Sequence, residues 1–249
     1  MNQAPEDAYD LARFTLADMV RCGRALRLLA SESETMEEAG QKVTRYLYDH
    51  LWDRSRNQTC SVLVRLFKTH PYALLPEEIR AFADSKAGGV VADQDTRCLT
   101  LLATAGDAPD WNSRRRSREH QSIPLLSEAI VAQSPMIVQL IRSLGISTAE
   151  FLGTRSGILS ELEQRKFGVF YVAHASGSPF VPAQKDFVQP YGVASVVGCG
   201  GLLPDQELLI LIIFSRSEVA AAAAEMFRTI AVNLKLGFLE LMDKPVFAG

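Results

Sequence analysis

The chain is poor in the residues that carry most protein chemistry, with only 4 cysteines and 4 histidines in 249 residues. Cys22, Cys60, Cys98 and Cys199 stand far apart, with no CxxC pair and apolar neighbours around each, so they read as buried reduced thiols and not as a disulfide framework. His50, His70, His120 and His174 are equally scattered. Without HExxH or Cys/His ligand spacing, a structural zinc site is not expected. Charge of one sign is also lacking: a formal net charge of −3 points to neither a nucleic-acid partner nor a polyanionic substrate.

Long apolar runs are missing too. The longest, 208–214 (LLILIIF), falls far short of the roughly 20 residues that a bilayer requires, so no membrane partner is expected. Glu6, Asp7 and Asp10 occupy the place where a secretory leader would be basic, and the cytoplasm is the expected compartment. No serine lies in a GxSxG context, and no motif pairs the carboxylates. The glycines at 198–201 lack a following Lys-Ser/Thr and read as a hairpin, not a phosphate loop. An enzyme is therefore not expected, and no motif names a cofactor.

What is present is an ordinary globular composition, 47% hydrophobic and 22% charged, which argues against disorder. Residues 7–30 form a helix whose apolar positions cover more than one stripe, so it meets two surfaces. Thr35 with Glu38 resembles a capping box that opens a second helix over 36–52. Residues 60–68 (CSVLVRLFK) alternate as a half-buried strand with Val62, Val64 and Leu66 on one face. A short helix follows Pro76, a loop contains Gly88 and Gly89, and 97–105 is the next strand. Residues 125–144 form a helix that Pro135 kinks or breaks in two, and 145–164 is a surface connection with some helix near 158–164.

The stretch 167–241 carries most of the fold information. Residues 167–173 (FGVFYVA) and 193–197 (VASVV) are β-branched and aromatic strands, and 208–214 is a strand covered on both faces. Between them, 184–188 is a helical turn ended by Pro190, and the glycines of 198–205 suit a turn with positive φ. Ser217 is the N-cap of a last helix with Phe227, Ile230, Ala231, Leu234 and Phe238 on its apolar face. The sum is an α+β fold: a mainly antiparallel central sheet with N- and C-terminal helices on one face and helices and loops on the other.

This ending resembles the GAF family of small-molecule sensor domains, which is PAS-related. The resemblance rests on the short Phe-containing helix at 184–188, the Gly192-Val193-Ala194-Ser195 strand start, the Gly/Pro hairpin, and an apolar strand ending in Phe214-Ser215-Arg216. Ser195, Phe227 and Ala231 stand at the places of the family's serine and its closing F-helix-A pattern. The cyclic-nucleotide signature and the Cys-near-His relation of the bilin-binding subset are absent; the nearest thiol to His120 is Cys98, on a predicted strand. The resemblance implies a bacterial sensory module of the kind found ahead of histidine kinases. It would divide into a signalling or dimerisation helix at 1–33, the GAF-like domain at 34–241 and a tail at 242–249. It further implies a homodimer formed through the terminal helices, an unknown small-molecule ligand, and a histidine kinase or other signalling partner acting in trans. Alternatively, the chain is a piece of a longer protein.

The candidate ligand-binding residues are Trp111, Arg114, Arg116, His120, Phe170 and His174. Arginines at 114, 115, 116 and 118 beside Trp111 and His120 suit a carboxylate or phosphate, which a guanidinium fork grips in bidentate fashion. The other reading of that segment is a solvated strand edge whose charges discourage aggregation. His174 opens a Gly/Ser/Pro loop of the sort where ligand contacts are often found. If Phe170 and Trp111 instead pack the pocket solid, the chain is a non-enzymatic interaction or dimerisation module.

Overall fold

Two apolar faces on a single sheet set the architecture. The structure, a computed structural model, describes residues 4–152 and 167–248. The helix expected near 158–164 lies outside them. Nine strands are described, β1 (Tyr9–Asp10), β2 (Leu51–Asp53), β3 (Gln58–Thr59), β4 (Ser61–Pro71), β5 (Arg97–Gly106), β6 (Ser122–Pro124), β7 (Phe167–Val172), β8 (Ser195–Leu202) and β9 (Leu208–Ser215). The first three make a small sheet. The other six pair antiparallel in the order β6-β5-β4-β9-β8-β7.

Helices α1 (Leu16–Ser31), α2 (Met36–His50) and α7 (Ala221–Leu239) cover one face. The sheet supplies Val64, Leu66, Leu211 and Ile213 to this core; Leu26, Leu47, Phe227 and Phe238 come from the helices. The opposite face carries α4 (Glu128–Val131), α5 (Pro135–Ser143) and α6 (Thr148–Leu152), with Phe67, Leu101, Phe170, Ile212 and Phe214 beneath them. α3 (Glu77–Lys86) lies beside the sheet, with Ile79 and Ala83 packed on Leu75 and Cys98. The α+β fold read from the sequence is the observed one, with terminal helices on one side and helices and loops on the other.

Several local readings shift for physical reasons. The first helix starts at Leu16, because Thr15 and Asp18 form a capping box there; Tyr9 and Asp10 instead pair in parallel with Leu51 and Trp52. Pro135 breaks the expected long helix into α4 and α5, with the proline at the start of α5 where a missing N–H does no harm. The 184–188 turn runs on through Pro190, and Gly192 at φ 63° ends it. The glycines at 198, 200 and 201 are strand residues of β8, not turn residues; a side chain on Gly200 would overlap the Leu209 carbonyl of β9. The positive φ in that hairpin belongs to Gln206. Ser217 does not cap α7, whose cap residue Ala220 makes no side-chain bond; the Ser217 hydroxyl donates to Asp53 instead.

Candidate functional site

The register of β4 places a charge on an otherwise apolar face. A bulge between Leu66 and Phe67 opposite β5 sets Arg65 directly across from Thr104 on one side and Ile212 on the other. Ile212 belongs to the core under α5, and directly opposed residues point to the same face, so Arg65 and Thr104 point there as well. The Arg65 guanidinium makes no hydrogen bond or ion pair among the described residues, and its buried Nε and the buried Thr104 hydroxyl are both unpartnered. Burial pulls the Arg65 pKa down to about 10, while the exposed Glu119 nearby acts to raise it. His120 lies in the same field: burial first, then the positive charges of Arg65 and Lys86, hold its pKa down at about 4 and its ring neutral near pH 7.

The segment that roofs this group is stitched to the end of β5. The Asn112 side chain donates to the carbonyls of Gly106 and Ala108 and accepts from the Gly106 N–H. Arg45 of α2 donates to the same oxygen at 3.1 Å. Gly106 has no Cβ that would strike the Trp111 ring, so the indole can approach the strand end closely. The segment forms 3-10 turns over Pro109–Asn112 and Arg114–Arg116, so the strand edge considered for it is not what forms.

The six residues singled out in the sequence have different neighbours. Trp111 packs on Phe187 and Tyr191, with ring centroids 5.5 and 4.5 Å away, and Phe187 meets Phe214 at 5.0 Å. Phe170 is buried edge-on against Phe180. Arg114, only 5% exposed, turns away to Glu37 of α2 at 2.7 Å and Glu78 of α3 at 3.4 Å. Arg116 is exposed, 4.0 Å from Asp110. His174 is exposed in a loop that Gln184 holds through the carbonyls of Ala175 and Val181. Only His120 joins the Arg65 group. Arg65 and Thr104 escaped the sequence reading, although one signal was available: an arginine flanked by Leu63 and Phe67 on the second face of a strand that is covered on both.

All four thiols are buried. Burial pushes Cys60, Cys98 and Cys199 up to about 12 and Cys22 higher still, with Cys199 adding to the shift at Cys22. Among the described residues, no cluster of His, Cys, Asp and Glu is placed to hold a metal, and no helix is long and apolar enough to cross a membrane.

No family model matches the chain, and no curated protein matches it. Among solved structures, it is similar to a free methionine-R-sulfoxide reductase from Neisseria meningitidis in complex with its substrate. The match covers 97% of this chain and 98% of that one, at 10% identity and a TM-score of 0.51. A GAF domain from an Acinetobacter phosphoenolpyruvate-protein phosphotransferase covers 88% and 92% of the two chains, at 11% identity and 0.46. The phycoerythrobilin-bound GAF domain of a cyanobacterial phytochrome covers 90% and 97%, at 12% identity and 0.42. At such identities the shared property is the fold. The chain shares its α+β fold with the reductase, and Arg65 and Thr104 point to the sheet face opposite its terminal helices.

Proposed function

We propose that this chain is a cytoplasmic, non-enzymatic GAF-like sensory domain that binds a small anionic ligand around Arg65 and passes the change to its terminal helices. The observation that carries this reading is Arg65, which faces an apolar core with its Nε buried and unpartnered, while its partly exposed guanidinium makes no hydrogen bond or ion pair among the described residues. A partly desolvated guanidinium without a hydrogen-bonding partner is unfavourable, and a carboxylate or phosphate that grips both of its edges offsets this. The Thr104 hydroxyl and the neutral His120 ring add directional partners.

The state of the thiols supports the non-enzymatic reading over thiol-based sulfoxide reduction. Reduction of a sulfoxide by a protein thiol needs an accessible thiolate, and the thiols here are buried with raised pKa values. The signal would be a population shift between two arrangements of α1 and α7, favoured by a ligand that prefers one of them. A homodimer, with a histidine kinase or other signalling protein in trans, completes the scheme. Exposed Leu16, Val20 and Leu28 on α1, with Leu236 on α7, are the support for association.

The test is thermal shift and native mass spectrometry with carboxylates, amino acids and nucleotides, on the wild type and on Arg65→Gln. A rise in Tm with an anionic compound, absent from Arg65→Gln, supports the reading. No shift and no bound mass with any compound overturns it. That outcome would favour the second reading, an interaction module whose pocket is filled by Trp111, Phe187, Tyr191 and Phe214.

A further inference from the structure

At the end of the sheet where β8 begins and β9 stops, an open cleft of about 600 Å³ lies between three chain segments. One is the turn before α1 (Asp10, Arg13), the second is the β2–β3 hairpin (Asp53, Arg54, Arg56), and the third leads into α7 (Arg216, Ser217, Glu218). The cleft shares no residue with the Arg65 group.

The charges around it are unevenly satisfied. Asp53 is fully occupied: Oδ1 accepts from the Ser55 N–H, the Ser55 hydroxyl and the Arg56 N–H at 2.6–3.0 Å, and Oδ2 accepts from Ser217 at 3.0 Å. Burial pushes the Asp53 carboxyl up, but these donors outweigh it and hold the group below its usual range. Arg56 therefore reaches only a saturated carboxylate, at 3.4 Å. Arg216 is engaged by Asp107 and by the carbonyls of Thr59 and Ser61. Asp10 turns inward to cap the Ala12 N–H. Arg54 makes a single bond, to the Ala8 carbonyl at 3.3 Å, and Arg13 makes neither a hydrogen bond nor an ion pair among the described residues. Glu218 is the one lining carboxylate left to oppose Arg13, Arg54 and the weakly held Arg56. With Arg216 paired to Asp107, three arginines and three carboxylates line the cleft, and what sets it apart is unused guanidinium N–H groups on Arg13 and Arg54 while Asp10 and Asp53 are held by the protein's own donors.

We infer that this cleft is a second ligand site, for a small phosphate-bearing anion gripped by Arg13 and Arg54 with Arg56 beside them. Guanidinium forks match phosphate oxygens in pairs, and the volume is that of a small-molecule site. Occupancy would tie the turn before α1 to the segment entering α7, fixing the start of both terminal helices relative to the hairpin. A phosphorylated metabolite would thus act on the helices directly, without passing through the sheet face.

The experiment is calorimetric titration of the full chain with inorganic pyrophosphate at low and moderate salt, on wild type, Arg13→Gln/Arg54→Gln and Arg65→Gln. The exchanged arginines of the double variant are exposed, so its fold should persist, and circular dichroism checks this. Saturable binding that weakens with salt, falls about tenfold or more in the double variant and is unchanged in Arg65→Gln is expected. No saturable binding to the wild type, or binding that the double variant retains, overturns the inference. Binding lost only in Arg65→Gln would place the anion on the sheet face and overturn it as well, while supporting the proposed function.

Discussion

Glu37 lies 2.7 Å from the Arg114 Nε through one carboxylate oxygen and accepts the Ala248 backbone N–H at 3.0 Å through the other. One side chain at the start of α2 therefore fastens both the basic segment and the C-terminal tail. The tail is held further by the Glu37 N–H to the Val246 carbonyl at 2.8 Å and by the Phe247 ring. That ring is 5.1 Å from the Arg114 guanidinium and 5.5 Å from the His70 ring.

Removing one partner of this arrangement leaves the other charge with poor solvation. Arg114→Met is expected to lower stability by about 3 kcal/mol, and Phe247→Ala by about 1–2 kcal/mol. The double variant Glu37→Gln/Arg114→Met should lose clearly less than the sum of its singles, because the two groups share one interaction. Urea denaturation of the four proteins gives the coupling. Strict additivity would show that Arg114 and Glu37 act independently.

Acid should weaken the fold partly through His120. Its pKa is about 4 when folded, against 6.5 in an ordinary environment, so the unfolded chain takes up the proton first as pH falls. Stability from this group is present above pH 6.5 and is lost progressively down to about 4. His120→Gln should reduce the fall in Tm between pH 7 and pH 4.5, without abolishing it. His70, buried and also held well below its usual value, titrates in the same direction. Equal slopes in wild type and variant would mean that His120 is solvated.

Much of this fold was legible because period and punctuation agree. Thr35 caps α2 as read, although Glu38 turns its carboxylate to the Glu34 N–H so that the reciprocal half of the box does not form, and the apolar run of β9 is covered on both faces. The misreadings share one physical origin: a residue that signals a turn in isolation was claimed by tertiary packing. Gly200 is needed for close strand approach, and Ser217 for Asp53. The site was less legible. Arg114 reads as a ligand group in sequence, yet Glu37 and Glu78 are brought to it by α2 and α3, more than 30 residues away in the chain. Arg65 could be placed by its alternation with Leu63 and Phe67, but its pairing with Thr104 could not, because the extra residue Leu102 on β5 shifts which face Thr104 occupies.

The α1–α7 contact depends on a glycine. A Cβ on Gly237 would come 2.7 Å from the Ala30 Cβ and 3.0 Å from the Arg27 carbonyl oxygen, both fixed to α1 with no rotatable bond that could move them aside. Gly237→Ala gains about 1 kcal/mol of helix propensity but must separate the helices, for a net loss of about 1–3 kcal/mol. Gly23→Ala meets only the Asn233 side chain, which can swing away, and should be close to neutral. Chemical denaturation distinguishes the two, and equal effects would remove the packing explanation.

The outer surface of α1 should mediate self-association. Leu16 is 67% exposed, Val20 62% and Leu28 48%, on the helix that packs against α7. Sedimentation across roughly a hundredfold range of concentration should show a reversible dimer that Val20→Glu weakens by about tenfold or more, since the charge would be buried in the interface. A wild-type chain that remains monomeric throughout contradicts this.

The thiols report on opening of the fold. With every thiol buried and its pKa raised, the native protein should react with a disulfide reagent at pH 8 far more slowly than a free thiol, while the denatured chain should yield all four at once. Cys98 packs with Leu75, Ile79 and Ala83 of the α3 cluster, whereas Cys22, Cys60 and Cys199 belong to the main core under α1, α2 and α7. Phe247 packs against the α3 cluster and also against the edge of the main core, so Phe247→Ala should speed labelling of Cys98 the most and that of the other three much less when opening is local. Mass spectrometry of partly labelled protein assigns the order. Four thiols that label together in the variant would mean that the tail stabilises the whole molecule and not the α3 side alone.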